Sequence, residues 1–290
     1  MTILVTGATG QVGRNVVEQL ARAGERVRAM TRTPESARLH PAAEVVRGDL
    51  DQPESLTDLL KGVDRMYLFP CPGTAREIVD LARRAGVRRI VVLSSGSVAA
   101  GYDTDYQYPV EQAVEASGLE WTHLRPGEFM SNKLYLWGPS IRAERVVRYT
   151  NPDLPANPIH EADIAAVGVA ALLEDGHTGQ AYLMSGPEVI TQREQVRLIG
   201  QALGEEVRFE EVTPGEGRRI LRSYGGWAAA NADFLMGFEG FSVGSDGLEL
   251  SASAEDLAEM MRPLPTVEQV LGRPARPFAE WARDRVDDFR

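Results

Sequence analysis

A short apolar run, Ile3-Leu4-Val5, is followed by three glycines at a spacing of three: Gly7, Gly10 and Gly13. Behind them Val16-Val17-Glu18-Gln19-Leu20-Ala21 takes up a helical pattern. No other stretch restricts the fold as much. A strand that turns directly into a helix needs Gly7 for the sharp bend. Gly10 keeps a Cβ away from any group that approaches the backbone, and Gly13 lets helix and strand pack closely. The start of such a helix offers free N–H groups and the positive end of its dipole, which suits a pyrophosphate. The spacing therefore predicts a strand, a glycine turn and a helix around a dinucleotide. Gly7, Thr9, Gly10, Gln11, Val12, Gly13 and Arg14 are its candidate contacts.

The rhythm continues. Residues 25–32 read as a second strand that ends Thr31-Arg32-Thr33, with no acid for a ribose 2′-hydroxyl. An arginine there suits a 2′-phosphate, so NADP(H) is expected in preference to NAD(H); otherwise Arg32 is a solvated surface residue. Residues 43–50 form a third strand. Asp49 at its end can accept from an adenine amino group or cap the next turn. An Asp51 cap and Pro53 then open a short helix. A fourth strand spans 63–69, a capping box runs from Thr74 to Glu77, and a helix follows with Ile78, Leu81, Ala82 and Ala85 on one face. The fifth strand, 89–95, a helix over 107–117 and a sixth strand, 121–125, come next. Leu50, Phe69, Pro70, Ser94 and Pro126 complete the candidate cofactor-binding set. Strands alternating with helices in this way give an α/β fold with a doubly wound parallel Rossmann sheet.

Beyond about residue 130 that alternation breaks. Prolines and glycines punctuate 131–160, read as a loop-rich insertion. An apolar helix, Ile164 to Leu173, follows behind an Asp163 cap, then a strand over 181–185 and a helix opened by a capping box from Thr191 to Glu194. The expected organisation is a cofactor domain over 1–184, a smaller loop-rich substrate region over 185–275 and a C-terminal docking helix over 276–290. Tyr224, Trp227, Phe234, Phe238 and Phe241 interleave with Gly225, Gly226, Gly237 and Gly240. Either they form a mobile aromatic lid over a planar substrate, or they are helix core with loop glycines.

At 290 residues the chain can bury a large core unaided. Its single cysteine, Cys71, excludes an intramolecular disulfide and reads as a buried thiol rather than a nucleophile. A net charge of −11 argues against nucleic acid as the main partner. No signal peptide or membrane span is visible, so the expectation is a cytoplasmic monomer or homodimer acting on a small molecule. The four histidines, His40, His123, His160 and His177, form no recognisable zinc motif.

Several stretches together carry a resemblance. They are Thr6-Gly7-Ala8-Thr9-Gly10-Gln11-Val12-Gly13, Gly48-Asp49-Leu50, Val92-Leu93-Ser94-Ser95, the run from Glu115 through Trp121-Thr122-His123-Leu124-Arg125-Pro126-Gly127, His160-Glu161-Ala162-Asp163-Ile164-Ala165, and Ser185-Gly186-Pro187-Glu188. The chain resembles the NmrA-like branch of the atypical short-chain dehydrogenases/reductases over most of its length. The resemblance implies an NADPH-dependent reductase of a small planar carbonyl compound: a quinone, an enone or an aromatic polyketide ketone. It leaves as the alternative a non-catalytic NADP(H)-binding redox sensor acting through a protein partner.

Reduction of a carbonyl needs a proton donor. In the wider superfamily a Tyr-x-x-x-Lys pair supplies it, with a Ser or Thr on the same oxygen. The resemblance places Ser95 at the Ser/Thr position, although a turn serine satisfying backbone is an equal reading. It also makes Phe129 and Met130, with Tyr224 and Trp227, candidate substrate contacts. The lysine is missing. Lys61 and Lys133 are the only lysines, neither has a tyrosine four residues before it, and Gln107 stands where isoflavone-reductase-like relatives carry one. Tyr108, then Tyr106 and Tyr102, remain as candidate donors.

Overall fold

A computed structural model describes residues 1–238 and 261–290. They group into two compact units. Met1–Gly127, Glu161–Met184 and Thr266–Pro274 make the first; Glu128–His160, Ser185–Pro265 and Ala275–Arg290 make the second. In chain order the first unit supplies β1 (Thr2–Val5), α1 (Gln11–Arg22), β2 (Arg26–Thr31), β3 (Glu44–Arg47), β4 (Arg65–Leu68), α2 (Ala75–Ala85), β5 (Arg89–Leu93), α3 (Gly96–Ala99), α4 (Gln107–Glu115) and β6 (Glu120–Pro126). The second unit then takes α5 (Asn132–Leu136), α6 (Gly138–Glu144), β7 (Val146–Tyr149) and β8 (Pro155–Ala156). The chain returns to the first for α7 (Glu161–Leu173) and β9 (Gln180–Met184). β10 (Ile190–Thr191), α8 (Gln192–Leu203), β11 (Arg208–Glu211), α9 (Pro214–Tyr224), α10 (Gly226–Ala230) and α11 (Ala232–Leu235) follow in the second.

The first unit holds a seven-stranded parallel sheet in the order β3-β2-β1-β4-β5-β6-β9. β1 and β5 are buried at every residue, as expected for strands covered by helices on both faces. Leu4, Met66, Ile90 and Val92 pack with Ile78 and Ala82 of α2 and Val110 and Val114 of α4 in one buried cluster. Each such side chain contributes about 1.5–3 kcal/mol on leaving water. α1 and α7 pack on each other. Gly168 lets α7 lie close to the sheet, because a Cβ there would stand 3.0 Å from the Leu124 side chain. The strand order reverses at β1 and β4, and in such sheets ligands bind in the crevice beyond the carboxyl ends at that point.

Several local expectations are corrected. Thr74 is the N-cap of α2 but makes no capping bond; its hydroxyl donates to the Leu50 carbonyl at 2.7 Å. Gln52, not Asp51, caps the short 3-10 turn Pro53–Leu56. Asp163 is not a cap: α7 begins at Glu161, and the buried Asp163 carboxylate accepts from Arg273 at 2.8 Å. Thr191 accepts from the Glu194 N–H, but the capping box is only half formed, since the Glu194 carboxylate pairs with Arg197 instead. The 131–160 segment is not an insertion within the first unit, since its β7 pairs with β11 in the second. Residues 266–274 leave the expected substrate region for the first unit, held by the bond from Thr266 to the Leu183 carbonyl and by the Arg273–Asp163 pair.

The second unit has its own core. Trp137, Val147, Tyr149, Ile199 and Leu221 are buried together with Phe278, Trp281 and Phe289 from the C-terminal stretch. That stretch is a helix, Phe278–Asp284, followed by a 3-10 turn, Val286–Phe289. Among the described residues no helix is long and apolar enough to cross a membrane.

Candidate active site

A cleft of about 530 Å³ opens at the carboxyl ends of β1 to β4. Gly7, Thr9 and Gly10 line it from the β1–α1 turn, and Thr31 and Arg32 from β2. Gly48, Asp49, Leu50 and Asp51 come from the end of β3, and Phe69 to Gly73 from the end of β4. Tyr106 completes the wall. The structure thus brings together Gly7, Thr9, Gly10, Arg32, Asp49, Leu50, Phe69 and Pro70, as the sequence suggests. It adds Asp51, Cys71 and Pro72, for which only their place after a strand is a signal.

The turn is built for close approach. Gly7 has φ +58°, and a Cβ there would touch Phe69. A Cβ on Gly13 would overlap the Gly7 carbonyl oxygen. Thr6 links β1 to β4: its hydroxyl donates to the Tyr67 carbonyl at 3.0 Å and accepts from the Phe69 N–H at 2.7 Å. Gly10 caps α1 without any side-chain capping bond, and the first turn carries no acid. A positive helix end whose N-cap glycine brings no side chain, beside a roomy cleft, fits a dinucleotide pyrophosphate. Gln11 opens α1, Val12 is buried beneath it, and Arg14 donates to the Thr9 carbonyl at 3.0 Å, bracing the turn.

Cys71 sits in the same cleft with its thiol 3.3 Å from both an Asp51 carboxylate oxygen and the Thr74 hydroxyl. Burial pushes the thiol above its ordinary range, and Asp51 adds to this, which opposes nucleophilic use.

The proton-donor candidates lie around α3 and α4. Ser94 is buried at the end of β5, its N–H donating to the Leu124 carbonyl at 2.7 Å. Ser95 caps α3; its oxygen accepts from the Ser97 N–H at 3.2 Å and the Ser97 hydroxyl at 2.8 Å. Tyr108 stands in the first turn of α4, 40% exposed, while Tyr102 is half-buried just after α3. Neither belongs to the wall of the cleft, nor do Ser95 and Pro126. Sequence reasoning missed what holds α4. The buried Asp103 carboxylate accepts the backbone N–H groups of Tyr106 and Gln107 at 3.0 Å and of Tyr108 at 3.4 Å. Glu111, 1% exposed on α4, takes both arms of Arg125 from β6 at 2.9 and 2.6 Å. Burial raises the Glu111 carboxyl, but Arg125, Ser94 and His123 together outweigh it and the group sits below its ordinary value. Glu111, Glu115 and His123 bring three ligand-type atoms close together, yet Arg125 already holds both Glu111 oxygens. The group therefore reads as a charge network between α4 and β6.

The substrate candidates belong to the second unit. Phe129 bridges to Ile159, and Met130 is fully buried in the core of that unit, so its side chain is committed to packing. Tyr224 packs against the same core from the end of α9. Trp227 is 39% exposed and tilts against Tyr135 at 5.8 Å. Phe234 and Phe238 are exposed, and Gly240 and Phe241 fall outside the described residues. A larger groove of about 820 Å³ runs between α8 and β11, but its Arg193 and Arg197 are paired with Asp153 and Glu194.

Sheet order, glycine turn and uncapped α1 define a doubly wound dinucleotide-binding protein. A family model described as NAD(P)H-binding matches residues 7–175. The (4-alkanoyl-5-oxo-2,5-dihydrofuran-3-yl)methyl phosphate reductase of Streptomyces griseus is 40% identical over 295 residues, with 99% of each chain covered. The NAD(P)H azoreductase of Xenophilus azovorans is 31% identical over 299 residues, again with 99% of each covered. In fold the chain is similar to the Citrobacter sp. triphenylmethane reductase complexed with NADP(H), with a TM-score of 0.75, 20% identity and 99% and 100% of the two chains covered. It is also similar to the Escherichia coli NADPH-dependent quinone oxidoreductase, with a TM-score of 0.74, 23% identity and 98% and 99% covered. The chain belongs to the NAD(P)H-binding family, in its NmrA-like atypical short-chain dehydrogenase/reductase group, and is an oxidoreductase.

Proposed function

We propose that the protein is an NADPH-dependent reductase of a small, planar, electron-poor acceptor, an enone or a quinone, rather than of a simple ketone. The observation that carries this reading is the proton-donor set without a lysine. Lys61 pairs with Asp58 at 2.6 Å on the surface, and the buried Lys133 pairs with Glu128 at 2.5 Å. No Tyr-x-x-x-Lys occurs in the chain. A conjugated acceptor needs less acid help than a ketone, because the charge left by hydride addition is delocalised. The relatives whose names include a furanone phosphate reductase and an azoreductase support an acceptor of this kind.

When bound, the reduced nicotinamide supplies the hydride. The chain's own residues supply position and proton. The Ser95 oxygen already accepts two hydrogen bonds, which leaves its O–H to donate to a substrate oxygen. Tyr108 is the proton donor, its phenolic O–H supplied from the first turn of α4. Arg32 on the cleft wall favours a 2′-phosphate. The nearest acid in sequence, Glu35, is taken by Arg47.

NADPH oxidation followed by absorbance, with an unsaturated lactone, a quinone and a saturated ketone, tests this reading. The conjugated acceptors should turn over at least ~100-fold faster, and Tyr108→Phe should lower kcat by about 10²-fold without changing NADPH affinity. A ketone reduced fastest would overturn the acceptor class. Full kcat in Tyr108→Phe would remove the donor role.

A further inference from the structure

The wall of the cofactor cleft has one foreign member. Its other described residues belong to or follow β1 to β4, whereas Tyr106 comes from the crossover between β5 and β6. In a doubly wound sheet one mononucleotide half lies on each side of the switch point. The β1-β2-β3 side carries the glycine turn and Arg32, and so takes the adenosine half. Tyr106 starts on the other side and reaches across. Tyr106 lines the cleft together with Asp51 and Cys71 from the loops that follow β3 and β4, and burial, then Cys71, Asp51 and Asp103, push its phenol above the ordinary value. Those two loops are tied together by the Thr74–Leu50 and Cys71–Asp51 contacts. The Tyr106 backbone is fixed by its N–H bond to Asp103 at 3.0 Å, yet 46% of the residue is exposed, a large aromatic face left open at the cleft.

We propose that Tyr106 is a cofactor-binding residue whose ring covers the adenine of the bound dinucleotide, and that it is not a proton donor. The ring crosses the cleft from the nicotinamide side and closes over the base. Asp51 and Cys71 line the same cleft. The proposal rests on the cofactor family and not on the acceptor class argued above. Its test reads binding of an adenosine fragment, which is independent of turnover.

Calorimetric titration with ADP, 2′,5′-ADP and NADPH separates the roles. Stacking of a base on an aromatic side chain corresponds to roughly 5- to 150-fold in affinity. Tyr106→Ala should weaken ADP and 2′,5′-ADP by a factor in that range and NADPH by a similar one. Tyr106→Phe keeps the ring, so it should bind all three like the wild type. Tyr106→Leu should fall between them. Wild-type affinity for both adenosine fragments in Tyr106→Ala would overturn the proposal. A fall in kcat of tenfold or more in Tyr106→Phe, with fragment binding intact, would return the residue to the proton-donor set.

Discussion

Two helices of the first unit begin near the carboxyl edge of its sheet, and they treat their N-termini in opposite ways. α1 starts at Gly10 with no side-chain cap and no acid in its first turn. α4 starts behind Asp103, whose buried carboxylate takes the N–H groups of Tyr106, Gln107 and Tyr108. The same backbone device, amides at the positive end of a dipole, has no N-cap side chain in one helix and is plugged from within in the other. An open end waits for a phosphate. A plugged end cannot bind one, but it holds its first turn rigidly. That is what a residue such as Tyr108 needs if it is to present a phenol in a fixed place. The contrast separates an end that fits a phosphate from an end that fixes the backbone of Tyr106 and Tyr108.

The largest effect comes from breaking the open end. In Gly13→Val the new Cβ overlaps the Gly7 carbonyl oxygen, so turn and helix must separate. Overpacking of this kind costs ~1–3 kcal/mol, and the displaced turn no longer presents the amides of α1 to a phosphate. NADPH affinity, measured by fluorescence titration, should fall at least ~100-fold, and the thermal midpoint should drop. Normal NADPH affinity in this variant would show that the close contact of Gly7 and Gly13 is not what shapes the site.

The plugged end gives the next effect. Asp103→Ala leaves amides at the start of α4 without their acceptor and should cost about 1–2 kcal/mol in denaturant melts, the usual loss for a removed cap. kcat should fall, and NADPH affinity should weaken by no more than in Tyr106→Ala, because Asp103 also fixes the Tyr106 backbone while α1 is untouched. Asp103→Asn keeps a side-chain oxygen and should recover most of both losses. If Asp103→Ala weakened NADPH as strongly as Gly13→Val does, the division between the two ends would be wrong.

The same contrast explains what could be read before any coordinates. The open end is legible because it is made of local features: a buried strand, glycines at fixed spacing and an amphipathic helix. Gly7, Gly10, Arg32, Asp49 and Phe69 all reach the cleft from the ends of strands that the alternation already makes parallel. The plugged end depends on contacts between distant residues. Glu111 looks like a solvated acid in sequence, and only Arg125, fourteen positions away, makes its burial intelligible. Asp103, Tyr106 and Tyr108 lie within one polar loop and helix start, where spacing gives no hint that one plugs amides, another reaches the cleft and the third begins the helix. The unit boundaries were hidden for a similar reason: β7 finds its partner β11 sixty-two positions on, as in the Arg148–Glu210 pair.

The smallest effect concerns the far end of α4. His123 on β6 is fully buried, stacked on Trp121 at 4.4 Å, with Nε2 3.1 Å from Glu115 of α4. The charged groups facing it are Glu111 and Glu115 from α4 and Arg125 from its own strand. Burial favours the neutral imidazole more than the two carboxylates favour the charged one, so its pKa lies below the ordinary value. The unfolded chain, with a histidine near ~6.5, therefore binds the proton more readily than the folded one. Stability from this group is complete above that pH and is lost as pH falls toward the depressed value, by at most ~1.4 kcal/mol per unit. His123→Phe keeps an aromatic ring against Trp121 but cannot titrate. Denaturant melts from pH 7 to about pH 5 should show a shallower decline in the variant than in the wild type. NADPH affinity over the same range should differ little between them, since α1 carries no such group. Parallel stability curves for the two proteins would mean that His123 does not anchor α4 through its neutral form. A pH dependence of NADPH affinity that vanished in the variant would mean that the two helix ends are coupled after all.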